Sequence, residues 1–313
     1  MLDPELQELL SGFPLVTELT AEMLPMMREP SDADEALAGH AVKRREATAV
    51  AADGWEIPLT VLTPTDSEPD APCVYWLHGG GMILGDRFSQ IAIPLEWAES
   101  LGAVVVTADY RLAPEVTGTT PVDDAYQGLL WVAEHAAELG IDPNRIVVAG
   151  ISAGGGLAAG VTLMARDLSG PSIAAQLLVC PMLDHRNNTA SSLQYAGRPG
   201  IWTYETNRFA WNAVLGDLPA DEVPAYISPA RADDLTGLPT TYVDAGSADV
   251  FRDEDVEYAS RIWAAGGQAE LHVWAGGFHG FDAVFPEARL SVAARAARTR
   301  WLAGVFACSC KLP

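Results

Sequence analysis

The sequence predicts an α/β fold: a mostly parallel sheet covered by helices on both faces and carrying a helical cap. Three observations predict it. Short, continuously apolar runs recur along the chain, helix-length segments separate them, and one aromatic-rich interval interrupts the alternation. A strand that is apolar on both faces is buried on both faces, which requires helical layers above and below it. With 313 residues, 49% of them hydrophobic and 19% charged, the chain has the material for a large core.

The elements follow in order. In residues 1–40, Leu6, Leu9 and Leu10, then Leu15, Leu19, Met23, Leu24, Met26 and Met27, predict two short amphipathic helices ahead of the first strand. Ala47–Val50 and Ile57–Leu62 flank Asp53-Gly54, a hairpin signal. Strands are then expected at Cys73–Leu77, Ala103–Ala108, Arg145–Ala149, Ile173–Cys180, Thr240–Asp244 and Ala269–Trp274. Helices are expected near 89–101, 121–139, 153–167, 253–265 and 287–306. Pro121 at the start of one and Gly140 after its end fit the capping asymmetry of helices.

Residues 185–235 break the alternation. They hold Tyr195, Trp202, Tyr204, Phe209 and Trp211 with helical stretches and no convincing strand. Such an insertion between strands lies over the carboxyl ends of the sheet, where ligands bind. The expected organisation is one domain, 41–184 with 236–313, under a cap built from 1–40 and 185–235.

Net charge −23 argues against nucleic acid and anionic membrane partners. The N-terminus has acids where a signal peptide needs a basic region, and no apolar run reaches a membrane span. Four cysteines do not make a disulfide framework in a chain of this length. Cys73 and Cys180 read as buried thiols, and Cys308 and Cys310 lack the partners of a metal site. The expectation is a soluble cytoplasmic protein.

Acyl transfer by a serine needs a nucleophile, a base, an acid that orients the base, and donors for the oxyanion. In Gly150-Ile151-Ser152-Ala153-Gly154, a strand-to-helix turn pushes the Ser152 hydroxyl out over the sheet. The string alone is weak; its strand and helix flanks carry it. Of the six histidines, His279 lies on a Gly- and Phe-flanked loop directly after the last strand and is the candidate base. Asp249, on the loop past Thr240–Asp244, is the preferred acid, with Asp184 the alternative. Asp253, Glu254 and Asp255 read as first-turn acids of the next helix. His78-Gly79-Gly80-Gly81 follows a strand, and the amides of Gly79 and Gly80 with that of Ala153 are the candidate oxyanion donors. Met82 and Ile83, with the cap aromatics Trp202 and Phe209, suggest an apolar substrate pocket. Asp109-Tyr110-Arg111-Leu112-Ala113-Pro114-Glu115 reads as loop bracing rather than chemistry.

With those motifs in their order, the chain resembles the hormone-sensitive-lipase-like esterases, the bacterial family IV group of α/β-hydrolases. The resemblance rests on His78–Gly81, Asp109–Glu115, Gly150–Gly155, the Asp249 segment ending Arg252-Asp253-Glu254, and His279-Gly280-Phe281. It implies an α/β-hydrolase fold with an eight-stranded sheet, a cap from both insertions, no cofactor or metal, and in many members a homodimer. It carries the triad onto Ser152, Asp249 and His279 and the oxyanion role onto Gly79 and Gly80. Two departures stand out: Ile151 where the family usually has Asp or Thr, and Asp-Val-Phe in place of Asp-Pro-Leu after the acid. The expected reaction is hydrolysis of short- to medium-chain carboxylic esters through an acyl-enzyme. An amidase or peptidase with the same triad, or a ligand-binding homologue without catalysis, is the alternative.

Overall fold

A computed structural model describes residues 1–309. Chain order is α1 (Pro4–Leu10), α2 (Leu24–Met27), α3 (Ala33–Ala36), β1 (Val42–Val50), β2 (Glu56–Pro64) and β3 (Ala71–Leu77). Next come α4 (Ala92–Leu101), β4 (Val104–Ala108), α5 (Thr120–Glu134), α6 (Ala136–Leu139), β5 (Ile141–Ile151), α7 (Ala153–Asp167) and β6 (Ala175–Val179). The last are α8 (Ala190–Gln194), α9 (Tyr204–Leu215), β7 (Thr240–Gly246), α10 (Arg252–Ala264), β8 (Ala269–Trp274), α11 (Phe281–Val284) and α12 (Arg289–Ser309). The strands form one eight-stranded sheet in the order β1-β2-β4-β3-β5-β6-β7-β8. β1, β2 and β4 pair antiparallel in succession, and every pairing from β4 to β8 is parallel.

The apolar runs divide between two cores by strand alternation. Tyr75, Val104, Val106, Ile146, Val148 and Leu178 face the layer of α5, α7 and α10. Val74, Trp76, Val105, Val147, Ala149 and Leu177 face the opposite layer, with Trp97 of α4 and Leu302 of α12. At about 25 cal/mol per Å² of apolar surface removed from water, such doubly covered strands anchor the sheet. Loops at their carboxyl ends are therefore held rigidly in place.

The expected strands all form, and the hairpin at Asp53-Gly54 joins β1 and β2 in register Val50↔Glu56. The helix expected over 121–139 is divided at His135. The helix expected from 89 begins at Ala92, because Gln90 takes a left-handed backbone with φ +55°.

The N-terminal expectation needs correction. α1 forms, but Leu15–Leu19 is not helical, and only a 3₁₀ turn at Ala21–Met23 and the short helices α2 and α3 follow before β1. Pro14 disfavours helical geometry at Phe13, and the chain beyond runs alongside the 185–235 insertion instead. Val16 bridges Gly200, the Thr203 hydroxyl donates to Thr17 O at 2.6 Å, and Leu19 N–H donates to Thr206 Oγ1 at 3.2 Å. Among the described residues of the insertion there are helices and turns but no named strand. No helix among the described residues is long and apolar enough to cross a membrane.

Candidate active site

β5 ends at Ile151 and α7 begins at Ala153, so Ser152 alone makes the turn, at φ +57° and ψ −122°. That backbone is unfavourable for a residue with a Cβ. It is held by Ser152 N–H donating to Val179 O (2.8 Å) and Met182 N–H donating to Ser152 O (2.9 Å). The flanking glycines are required by contact: a Cβ on Gly150 would sit 2.2 Å from Gly154 O, and one on Gly154 2.0 Å from Leu77 O. Ile151 packs into the core below the turn, and it also lines the cavity above.

His279, between β8 and α11, places Nε2 2.9 Å from Ser152 Oγ. Its Nδ1 lies 3.0 and 3.2 Å from the two oxygens of Asp249, on the loop between β7 and α10. Asp249 Oδ1 also accepts Phe251 N–H at 3.0 Å. This bonding fits a neutral ring with the proton on Nδ1, leaving Nε2 to accept from the serine hydroxyl. All three side chains are buried, and the Phe251 ring stands edge-on to the imidazole at 5.0 Å. Asp184, the alternative acid, is instead paired with Arg186 (Nη2 to Oδ2, 2.6 Å).

The glycine loop departs from expectation at one position. Gly79 N–H donates to the Gln90 side-chain oxygen at 2.9 Å, so it has no hydrogen left for an oxyanion. The amides of Gly80, Gly81 and Ala153 have no hydrogen-bond acceptor among the described residues. The loop is braced from behind. His78 stacks on Tyr110 with centroids 4.3 Å apart, and the Tyr110 hydroxyl donates to His78 O at 2.8 Å. Burial pushes the His78 pKa down, keeping that ring neutral. The neighbours of Tyr110 extend the brace: Asp109 pairs with Arg87, Arg111 with buried Asp124 (Nη2 to Oδ1, 2.8 Å), and Glu115 with Arg28 (2.7 Å).

A cavity of about 420 Å³ opens beside Ser152 and His279. Phe13, Val16 and Leu19 line it from the N-terminal segment, Trp202 from the insertion, and Gln90 and Ile151 from the sheet edge. A smaller one, about 100 Å³, lies on another side of His279 and Trp202, against Leu10 and Phe278. Of the four expected pocket residues only Trp202 lines either cavity. Met82 and Ile83 are fully buried in the core beneath the loop, where φ +58° at Met82 turns the chain inward, and Phe209 packs against the same core. A larger groove of about 850 Å³, lined by Glu96, Glu99, Arg295 and Arg300, touches none of the catalytic candidates.

Asp253, Glu254 and Asp255 lie in the first turn of α10, as expected, and the last two are buried. Glu254 is buried and accepts the amides of Leu183 and Asp184 at 2.8 and 3.0 Å, tying α10 to the chain after β6. Asp255 is buried with no hydrogen-bond partner among the described residues. Sequence reasoning did not single out Gln90, and it gave Gly81 no donor role and Cys180 no place beside the site. Cys180 was expected as a buried thiol, and it is buried, but its position just past β6 brings it beside Asp249 and His279. Burial, then the Asp249 charge, pushes its pKa well up. The signal available for Cys180 was its place at a strand's carboxyl end; for Gln90 there was none. Cys308 is an exposed thiol, and Cys310 lies outside the described residues.

The chain is similar to known proteins over most of its length. A family model described as the alpha/beta hydrolase fold matches residues 74–283. Esterase LipI of Mycobacterium tuberculosis (strain ATCC 25618 / H37Rv) is 36% identical over 225 residues, covering 71% of this chain and 70% of its own. Carboxylesterase NlhH of M. tuberculosis (strain CDC 1551 / Oshkosh) is 34% identical over 279 residues, 86% of this chain and 85% of its own. Among solved structures, a bacterial heroin esterase superposes with a TM-score of 0.90 at 38% identity, covering 97% of this chain and 98% of that one.

Proposed function

We propose how this chain, which belongs to the hormone-sensitive-lipase-like family of α/β-hydrolases and is a carboxylic-ester hydrolase, cleaves its substrate. Ser152 attacks the ester carbonyl while His279 Nε2 takes the hydroxyl proton, and Asp249 orients the ring and stabilises the imidazolium. The oxyanion is received by the amides of Gly80, Gly81 and Ala153, the last at the positive end of α7. His279 then returns its proton to the departing alkoxide, and water resolves the acyl-enzyme by the same route in reverse.

The observation that carries this reading is the unbroken chain Ser152 Oγ–His279 Nε2 at 2.9 Å and His279 Nδ1–Asp249 Oδ2 at 3.0 Å. Residues 1–40 and 185–235 act as the cap, since both contribute walls of the cavity over Ser152. Its apolar lining and volume of about 420 Å³ favour short- to medium-chain esters.

Ser152→Ala tests the assignment. It should abolish turnover of a short-chain p-nitrophenyl ester and covalent labelling by a fluorophosphonate, with the fold intact by circular dichroism. Retained turnover would sink the reading.

A further inference from the structure

Cys180 has no part in the acyl-transfer chemistry, yet its thiol is buried against it. The Cys180 sulfur, a carboxylate oxygen of Asp249 and a ring nitrogen of His279 lie within 4.8 Å of one another, all in buried side chains. The nitrogen facing Asp249 is Nδ1, 3.0 Å from Oδ2. Thiolate, carboxylate and imidazole are the three ligand types zinc accepts, and a thiolate selects soft cations over magnesium or calcium.

We propose that Cys180, Asp249 and His279 form an inhibitory site for one thiophilic divalent cation, zinc or cadmium, that switches the esterase off when bound. The proposal rests on the catalytic reading of Asp249 and His279. Ligand atoms around a tetrahedral zinc are about 3.4–3.7 Å apart, so the cluster closes by a side-chain adjustment of about 1 Å.

Charge favours the site as well. A dication with one thiolate and one carboxylate is neutral overall, so burial does not oppose it as it would a lone ion. The protons balance as follows. The thiol releases its proton to solvent as sulfur binds the metal. Nδ1 gives up its proton to bind, and Nε2 takes one, so the imidazole stays neutral and one proton leaves in total. Nε2 then presents N–H to Ser152 and has no lone pair with which to accept the serine proton. Inhibition therefore removes the base while leaving the cavity open, and kcat falls without a rise in KM.

The test uses the full chain in a Cys308→Ser/Cys310→Ser background, freed of metal by a chelator and titrated with cadmium. Ultraviolet thiolate-to-cadmium absorption and short-chain ester hydrolysis are read in the same samples. One equivalent should give the absorption band and remove most of kcat with KM unchanged, and excess chelator should reverse both. Zinc should inhibit likewise, whereas magnesium and calcium should not. Cys180→Ser and Cys180→Ala, each compared with its own metal-free rate, should lose the band and need at least about tenfold more zinc for inhibition. Adding Ser152→Ala should abolish turnover and keep the band, which separates failure of this proposal from failure of the catalytic reading. Absence of the band at one equivalent, or Cys180 variants inhibited at unchanged zinc concentrations, would overturn it.

Discussion

The side-chain oxygen of Gln90 accepts the Gly79 N–H at 2.9 Å, and this bond leaves Gly80 and Gly81 as the glycine-loop amides without an acceptor among the described residues. Gln90 itself sits at φ +55° on the cavity wall, so its backbone is committed to the same task. On the proposed mechanism, the Gly79 bond holds the loop before substrate arrives, so that Gly80 and Gly81 need not reorganise as charge develops on the oxygen.

Gln90→Ala should therefore lower kcat by about fivefold, the value of one hydrogen bond of about 1 kcal/mol, with little change in KM. Gln90→Glu keeps an acceptor for Gly79 but brings a negative charge to the rim of the oxyanion site. It should lower kcat further. Steady-state kinetics on one short-chain ester decides this, and an unchanged kcat in Gln90→Ala would show that the loop holds itself.

Much of this was legible in the sequence, and the reasons differ by element. The parallel strands announce themselves because burial on both faces demands unbroken apolar runs such as Cys73–Leu77. Ser152, Asp249 and His279 stand out because each lies just past a strand's carboxyl end, in chain order. The Gly79 assignment failed because three consecutive glycines give no hint of which amide a distant side chain will occupy. Met82 and Ile83 failed for a related reason: loop direction depends on a positive φ, which an apolar side chain does not advertise. The run from Leu15 to Met27 reads as helical by spacing, but Val16, Leu19 and Met27 meet the insertion or the cavity, a tertiary pairing that periodicity cannot contain.

Asp255 makes stability depend on pH in a predictable direction. It is fully buried, with neither oxygen bonded among the described residues. Burial, then the charges of Glu254 and Asp249, raises its pKa well above the ordinary 3.8. A carboxyl raised in the folded state binds its proton more tightly there than in the unfolded chain. Its contribution is thus unfavourable above the unfolded pKa, and stability falls as pH rises from about 4 toward the folded value. Asp255→Asn removes the titration and keeps the shape. Its melting temperature should match the parent near pH 4 and exceed it increasingly toward pH 8, as differential scanning fluorimetry would show. Parallel curves would mean that Asp255 does not titrate in this window.

Arg298 joins α11, just past His279, to the last helix. It is 1% exposed on α12, donating from Nε to Asp244 Oδ2 at 2.8 Å, from Nη2 to Asp244 Oδ1 at 3.1 Å, and from Nη1 to Asp282. Asp244 belongs to β7, and Asp282 lies in α11, three residues past His279. Removing the cation leaves two carboxylates buried side by side, which costs about 3–5 kcal/mol. Arg298→Met should accordingly lower the melting temperature by roughly 5–8 °C. It should also lower kcat well below the melting point, because α11 loses its tether beside His279. Neutralising the orphans with Asp244→Asn and Asp282→Asn in the Arg298→Met background should recover much of the stability, since the cost comes from unpaired charge rather than from lost bonds. If the triple variant melts no higher than Arg298→Met alone, the destabilisation is a packing defect and the electrostatic account fails.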